Sequence, residues 1–348
     1  MEKRNLFIAI GVLVVIVLVI GAVLGPLEGS LTGSDSQEDE GDDSGDSQDQ
    51  QRNYTVKDAT GEEIEFKEPP ERIVSFMPSN TELLFHLEVG DRVVGVDDYS
   101  NYPEEAKELP KVGDSMEVDY EKIVDLEPDV VVITEAVSHM KQQLEEYELR
   151  TFVTGGETLE DVYSDLRALG EMCGVEEKGE EKAQVLEDEI DNITEETRDL
   201  PEEERIDVLY ISGVYQGINT PGEGTFQNTL LTNAGADNIA SDKEGWTTIS
   251  EEEIISRDPE VIIAPGYIES DVKEYTEKDS WQNITAVEKD QVYFVNGDVM
   301  SRPGPRVVEA QQTLVDLLDG SEKADTSLAE AGTLEKWSIS STKKIVKV

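Results

Sequence analysis

One structural unit recurs in this sequence: a short acidic helix, a turn formed by proline and an acidic residue, and an apolar strand. It occupies residues 119–133 and again residues 249–263. One interpretation is that any helix–turn–strand unit has this pattern. The other is that two similar lobes face each other across a cleft, and such clefts are preferred sites for small ligands.

Strand patterns alternate with helical patterns on both sides of one long helical stretch. Strands that alternate with helices are typical of parallel sheets covered by helices. We therefore expect an α/β protein in which two lobes with mainly parallel sheets are joined by a long rigid helix, with Gly174 and Gly179 as its interruption. The expected divisions are an N-terminal lobe at 53–157, a linking helix at 158–200, a C-terminal lobe at 201–320 and a tail of unassigned role at 321–348.

The N-terminus predicts a membrane attachment. Lys3 and Arg4 precede an apolar run from Leu6 to Leu24, close to the ~20 residues that span a bilayer. We interpret residues 1–24 as an uncleaved transmembrane anchor, with a cleaved signal peptide as the alternative. Positive charge before the run keeps the N-terminus cytoplasmic, so the remaining chain is expected on the extracytoplasmic side of the cell membrane. Residues 25–52 are predicted to be a disordered acidic linker.

The charge of the chain excludes one class of partner. Asp and Glu number 79 against 29 Lys and Arg, which gives a formal net charge of -50. A surface of this sign repels phosphate groups, so nucleic acid is not an expected partner. Charge of this density also favours a halophilic source, because at 1 M salt the Debye length is roughly 3 Å.

Motifs for catalysis are absent from the sequence. It contains no nucleophile elbow, phosphate-binding loop or dinucleotide-binding glycine pattern, and its acidic residues form no distinctive constellation. With two histidines and one cysteine, the chain also offers little for a metal centre. We therefore predict a binding protein that is not an enzyme and carries no metal or cofactor.

Several short motifs follow one another in a familiar order: RIVSFMPSNTELLF from Arg72, VVGVDDYSNYP from Val93, Val112-Gly113, and EKIVDLEPDVV from Glu121. In this order they resemble the helical-backbone class of ABC-transporter solute-binding proteins, which serves cobalamin, ferric siderophores and haem. The motifs are most similar to those of its cobalamin-binding members. The resemblance implies a small-molecule ligand, with cobalamin or a related corrinoid first and a ferric siderophore or haem second. It also implies an ABC permease dimer with its ATPase subunits as partner.

In that class, one glutamate on each lobe docks into arginine pockets of the permease. The resemblance places this role on Glu121 and Glu252. Charge-assisted pairs with arginine are strong and oriented, so they suit this purpose. The alternative is that both belong to an ordinary solvated acidic surface, and Glu251 and Glu253 lie close enough for the role to shift by one position.

The resemblance also implies the residues that contact the ligand. Tyr99 and Trp246 match positions that lie against the corrin face, where flat, rigid rings provide large contact area. The alternatives are a tyrosine that packs locally and a tryptophan of the core. Ser115 and Thr134 occupy positions where cobalamin-binding members have further tryptophans.

Asp298 and Arg302 match polar positions near the ligand. They could bind the amide groups of a corrinoid, and Arg302 could bind the carboxylate of a siderophore. The alternative is a local ion pair on the surface. A tethered sensor or adhesion domain without transport is the competing function of a different class.

Overall fold

In the computed structural model, residues 53–319 and 334–336 are described. The strands are β1 Tyr54–Lys57, β2 Glu63–Phe66, β3 Ile73–Ser75, β4 Val93–Val96, β5 Val130–Thr134, β6 Thr151–Thr154, β7 Ile206–Tyr210, β8 Gly213–Val214, β9 Ile218–Pro221, β10 Ala236–Asn238, β11 Trp246–Ile249, β12 Val261–Pro265, β13 Val292–Val295 and β14 Leu334–Lys336. The helices are α1 Pro78–His86, α2 Tyr120–Asp125, α3 Lys141–Glu146, α4 Leu159–Met172, α5 Glu176–Thr194, α6 Phe226–Asn233, α7 Glu251–Arg257, α8 Glu269–Thr276, α9 Thr285–Glu288, α10 Gly297–Ser301 and α11 Val307–Leu318.

The N-terminal lobe is built on a parallel sheet with the strand order β4-β3-β5-β6. Its strand β5 is buried along its whole length because helices cover both faces of a parallel sheet. An antiparallel hairpin of β1 and β2 precedes this sheet, as the alternating apolar residues predict. The carboxyl ends of β3, β5 and β6 therefore lie along one edge of the lobe.

The C-terminal lobe repeats this plan with additions. Its main sheet has the order β10-β7-β12-β13-β14, in which β14 alone is antiparallel to its neighbour. Strand β14 comes from the tail at 321–348, to which the sequence assigns no structure, and it pairs with β13. A second, antiparallel sheet of β11, β9 and β8 was not expected. It places Trp246 on a strand, whereas the sequence pattern indicates a polar loop.

The expected single linking helix is two helices. Helix α4 ends at Met172, Gly174 has a φ of +67°, and α5 runs back along α4. A Cβ atom on Gly170 would lie 2.8 Å from the Cα atom of Gly179, so the helices cross too closely for larger residues here. Helix α5 has 19 residues, a length of roughly 28 Å, and it packs against both α4 and α11. The connection between the lobes is thus a helical pair.

The recurring unit has the same construction in both lobes. Asp119 and Ser250 cap α2 and α7 by accepting a hydrogen bond from the backbone three residues later. In each copy, the residue before the proline is left-handed, with φ of 46° at Glu127 and 47° at Asp258. A buried strand, β5 or β12, follows. The two lobes therefore share a helix–turn–strand unit with the same spacing.

Within residues 53–319, no helix has both the length and the apolar character that a membrane span requires. The expected anchor at 1–24 and the expected acidic linker at 25–52 lie outside the described residues. Both remain predictions of the sequence.

Candidate functional site

A cavity of about 300 Å³ lies between the two lobes. Residues at the carboxyl ends of β3, β5 and β6 line one side, and residues of the C-terminal lobe line the other. The lining residues include Met77, Thr134, Gly156 and Glu157 on the first side and Thr225, Gln227, Trp246 and Arg302 on the second. Ligands of α/β proteins commonly bind outside the carboxyl ends of the strands, and this cavity has that position.

Of the six predicted ligand-binding residues, the cavity brings together Thr134, Trp246 and Arg302. Thr134 is the last residue of β5 and is buried, whereas Trp246 begins β11 and is 60% exposed. Tyr99, which is 63% exposed, does not line the cavity. Its hydroxyl group donates a 3.4 Å hydrogen bond to Asp114, the neighbour of the exposed Ser115. Tyr99 and Ser115 thus belong to neighbouring loops of one lobe, outside the cavity.

The loop that carries Tyr99 is held by the buried carboxylate of Asp97. This carboxylate accepts hydrogen bonds from the backbone N–H groups of Tyr99 at 2.9 Å and Met77 at 3.2 Å, and from the hydroxyl group of Ser100. Burial raises the pKa of Asp97, and these three hydrogen bonds oppose the rise. Because Met77 lines the cavity, one side chain fixes both the exposed loop and part of the cavity wall.

Asp298 and Arg302 form the local ion pair that the sequence left open, with 2.9 Å between Arg302 Nη2 and Asp298 Oδ1. The pair also reaches across to the other lobe. Asn101 donates to Asp298 at 3.0 Å and accepts from Arg302 at 2.8 Å, and the carbonyl group of Tyr99 accepts from Arg302 at 3.3 Å. Both residues therefore join the Tyr99 loop to the C-terminal lobe, which a surface pair would not do.

A buried glutamate completes this contact between the lobes. Glu82 on α1 accepts hydrogen bonds from Arg302 at 3.1 Å and from two nitrogen atoms of Arg306 at 2.6 and 2.8 Å. Its side chain is almost entirely inaccessible to solvent. The guanidinium group of Arg306 also lies 4.3 Å from the centre of the Tyr102 ring. A carboxylate buried this deeply needs such partners, because an unpaired charge is costly to bury.

The two glutamates with a predicted docking role occupy equivalent places. Glu121 and Glu252 are each the second residue of their helix, α2 or α7, and both are exposed. Glu251 instead pairs with Lys278 at 2.9 Å and accepts a hydrogen bond from Trp281, and Glu253 pairs with Lys243 and Arg257. These pairs leave Glu252 as the outward-facing acid of the three.

Sequence reasoning missed several residues of the site. Gln227 lines the cavity and Glu82 holds the lobes together, but glutamine and glutamate within a helix carry no distinguishing signal. Tyr215 follows β8 and Tyr267 follows β12, and they are 74% and 68% exposed, although neither lines the cavity. The Tyr267 ring packs on Gly297, where a Cβ atom would lie 2.2 Å from the ring. The signal that the sequence offered for these two tyrosines was an aromatic residue that follows a strand.

No group of three or more histidine, cysteine, aspartate or glutamate side chains that could hold a metal ion occurs among residues 53–319. The described cleft presents hydrogen-bonding groups, an exposed aromatic ring and one network of ion pairs.

The periplasmic binding protein family model matches residues 73–299. The uncharacterized ABC transporter substrate-binding lipoprotein YvrC of Bacillus subtilis is 32% identical over 267 residues, which cover 75% of this chain and 84% of that protein. The vitamin B12-binding protein of Vibrio parahaemolyticus is 27% identical over 253 residues, covering 70% and 87% of the two chains. The periplasmic haem-binding protein RhuT of Roseiflexus has a TM-score of 0.64 at 25% identity, with coverage of 71% and 97%.

The matched region contains the parallel strands of both lobes, the helical pair and most residues that line the cleft. It agrees with the resemblance found in the sequence motifs, and it confirms that this is a binding protein rather than an enzyme. The chain belongs to the periplasmic binding protein family, whose members serve ABC importers.

Proposed function

We propose that the chain is the extracytoplasmic substrate-binding component of an ABC importer, and that it binds cobalamin or a related corrinoid between its lobes. The observation that carries this proposal is a cleft lined by both lobes, with the exposed Trp246 in its wall and the exposed Tyr99 on the loop that Arg302 of this wall binds. Similarity to a protein named for vitamin B12 binding supports the choice of ligand.

The size of the cavity determines how such a ligand would be held. A volume of about 300 Å³ is at the lower end of ligand pockets, which range over roughly 300–1,000 Å³. A corrin ring with its side groups is much larger than this cavity. We therefore place part of the ligand at the open mouth of the cleft, against the exposed rings of Tyr99 and Trp246, where flat apolar surfaces contribute most.

The remaining predicted residues have supporting roles in this proposal. Thr134 lines the inner cavity, and the exposed Ser115 is proposed to contact the part of the ligand that lies outside it, next to Tyr99. Asp298 and Arg302 position the Tyr99 loop against the C-terminal lobe, since their polar groups are bound there. Asp298 therefore affects the ligand indirectly, by holding the Tyr99 loop. Arg302 holds the same loop and also forms part of the cavity wall.

Delivery requires a partner in the membrane. Glu121 and Glu252 are proposed to dock on an ABC permease dimer with its ATPase subunits, one glutamate from each lobe. Their equivalent positions on α2 and α7 support this role, because a two-fold partner requires two similar contacts. The N-terminal segment at 1–24 is proposed to hold the domain at the outer face of the cell membrane, in the role that a lipid has in a lipoprotein.

Calorimetric titration of the full chain with cyanocobalamin tests the ligand. We expect saturable binding, and about tenfold weaker binding or more when Tyr99→Ala or Trp246→Ala removes an aromatic surface. Tyr147→Ala is the matched control, since Tyr147 is also exposed but stacks on Tyr120 away from the cleft. Absence of binding at micromolar cyanocobalamin would exclude the corrinoid. Haemin is titrated in parallel, because the fold is shared with a haem-binding protein.

A further inference from the structure

Two oxygen atoms at the cavity have no hydrogen-bond partner in the described structure: Oγ1 of Thr134 and Oε1 of Gln227. Both residues line the cavity, one from each lobe, and they are only 2% and 3% exposed. Buried polar groups are nearly always hydrogen-bonded, and a buried group without a partner costs free energy. We therefore expect the free-energy cost of these two unpaired oxygens to be offset when a ligand supplies the missing hydrogen bonds.

The free end of the Gln227 amide is an acceptor. Its nitrogen Nε2 lies 3.2 Å from the carbonyl oxygen of Met300, which can only accept a hydrogen bond. The amide must therefore direct its NH₂ group to Met300, which leaves Oε1 free. The hydroxyl group of Thr134 can either donate or accept. Together these two groups can bind a hydrogen-bond donor.

The charged groups at the cavity disfavour an anion. Both terminal nitrogens of Arg302 are already bound, Nη1 to Glu82 and Asn101 and Nη2 to Asp298, so its charge is paired with two carboxylates. The other charged residue in the cavity wall is the exposed carboxylate of Glu157, which repels anions. A carboxylate that entered here would lose its water and find no free cation among the lining residues.

We propose that the inner cleft selects a primary amide on the ligand, bound by Gln227 Oε1 and Thr134 Oγ1, and rejects a carboxylate at the same place. Both oxygens are shielded from solvent in this state, so the amide reaches them as the lobes separate slightly on binding. This inference rests on the proposed function of the cleft and names the chemical group it recognises. A corrinoid carries such amides around its ring, whereas haem carries carboxylates.

The test compares matched amide and acid forms of two macrocycles on the full chain. The probes are cyanocobalamin with its separate monocarboxylic acids, each having one amide hydrolysed, and haemin bisamide with haemin. We expect one monocarboxylic acid to bind about tenfold more weakly than cyanocobalamin, while the others bind as the parent does. Gln227→Met should weaken cyanocobalamin binding threefold to tenfold and remove the difference between that acid and its amide.

Gln311→Met is the matched control. Gln311 is also buried, donates its Nε2 to the carbonyl group of Leu230 at 3.1 Å, and has an Oε1 without a partner, but it does not line the cavity. This variant should retain both the affinity and the discrimination. Equal losses in the Gln227 and Gln311 variants would overturn the inference.

Thr134→Val distinguishes a role of the hydroxyl group in ligand binding from a role in stability. Valine has nearly the shape of threonine but lacks the hydroxyl group, so the ligand-free variant should melt at the same or a higher temperature. Its affinity for cyanocobalamin should nevertheless fall threefold to tenfold. Weaker binding accompanied by a lower melting temperature, or unchanged binding, would contradict the assignment of Thr134.

The outcomes separate this inference from the proposed function. If cyanocobalamin binds and all its acids bind equally, the inference is wrong and the corrinoid proposal stands. If cyanocobalamin fails to bind but haemin bisamide binds better than haemin, the corrinoid proposal is wrong and the inference stands. If cyanocobalamin fails to bind and haemin binds at least as tightly as its bisamide, both the corrinoid proposal and the inference are wrong. If neither macrocycle binds, both are also wrong.

Discussion

Asp165 on α4 is a buried carboxyl group that supports the cavity wall. It accepts hydrogen bonds from the backbone of Gly155 at 3.0 Å and of Gly156, a cavity residue, at 3.2 Å. Burial raises the pKa of Asp165 from 3.8 to about 7, although both hydrogen bonds oppose the rise. This side chain therefore titrates near neutral pH.

The raised pKa of Asp165 predicts a pH dependence of stability. The folded state holds the proton to a higher pH than the unfolded state, so the contribution is complete below pH 3.8 and is lost as pH rises through about 7. Asp165→Asn removes this titration. Urea denaturation between pH 4 and 8 measures the free energy of unfolding. We expect it to fall by up to about 4 kcal/mol more in the wild type than in the variant over this range. Parallel pH profiles would contradict the prediction.

The sequence indicates where a residue lies in the fold when that residue ends a recognisable strand. Thr134 ends β5 and lines the cavity, and its contact with a ligand stays a prediction. The partners of Arg302 could not be found in this way, because Glu82 lies 220 positions away in the chain. Only the Asp298–Arg302 pair, separated by four residues, was visible as an alternative. Long-range ion pairs depend on how the lobes meet, which local patterns do not encode.

At the scale of elements, α2 and α7 present Glu121 and Glu252 in the same helical position. The double variant Glu121→Ala/Glu252→Ala should weaken docking on the permease at least tenfold, because it removes one charged contact from each lobe. Affinity for cyanocobalamin should not change, since neither residue lines the cavity. Docking is measured with the permease complex in nanodiscs and ligand binding by calorimetry.

A charge-matched control for docking is Glu145→Ala/Glu274→Ala, which removes one exposed acid from α3 and one from α8. This variant should dock as the wild type does. If both double variants lose docking equally, the effect is one of net charge, and the assigned positions are wrong.

Apolar strands could be predicted from the sequence more readily than short, partly polar strands. The strands β4, β5 and β12 each begin with consecutive valine or isoleucine residues, which favour strands, so the sequence marks them clearly. The strands β8 to β11 are short and partly polar, so no periodicity marks them. In the linking region, Gly174 indicated the interruption, but only the packing of α4 on α5 shows that the chain turns back.

At the scale of the whole molecule, the formal net charge of -50 predicts a requirement for salt. Dialysis from 1 M to 0.05 M KCl should lower the melting temperature by several degrees, because self-repulsion is screened within about 3 Å at 1 M. Replacing KCl with sucrose at equal osmolality controls for solute exclusion from the surface. Equal melting temperatures in both salt concentrations would argue against the halophilic hypothesis.

The network around Glu82 links the two lobes. Glu82→Gln leaves the buried Arg306 without a carboxylate and leaves Arg302 with Asp298 alone. Removing one partner of a buried ion pair typically costs about 3–5 kcal/mol. We expect a loss of that size in urea denaturation. We also expect a larger radius of gyration in small-angle X-ray scattering, because Glu82 lies on α1 and both arginines belong to the other lobe.

Glu88→Gln provides the control for Glu82→Gln. Glu88 follows α1 and pairs with Lys178 of the helical pair at 2.7 Å, but its side chain is largely exposed. Exposed pairs contribute little to stability because water already solvates both charges. This variant should therefore retain the stability and radius of the wild type. If Glu82→Gln also retains both, the buried network does not hold the lobes together, and the helical pair must suffice.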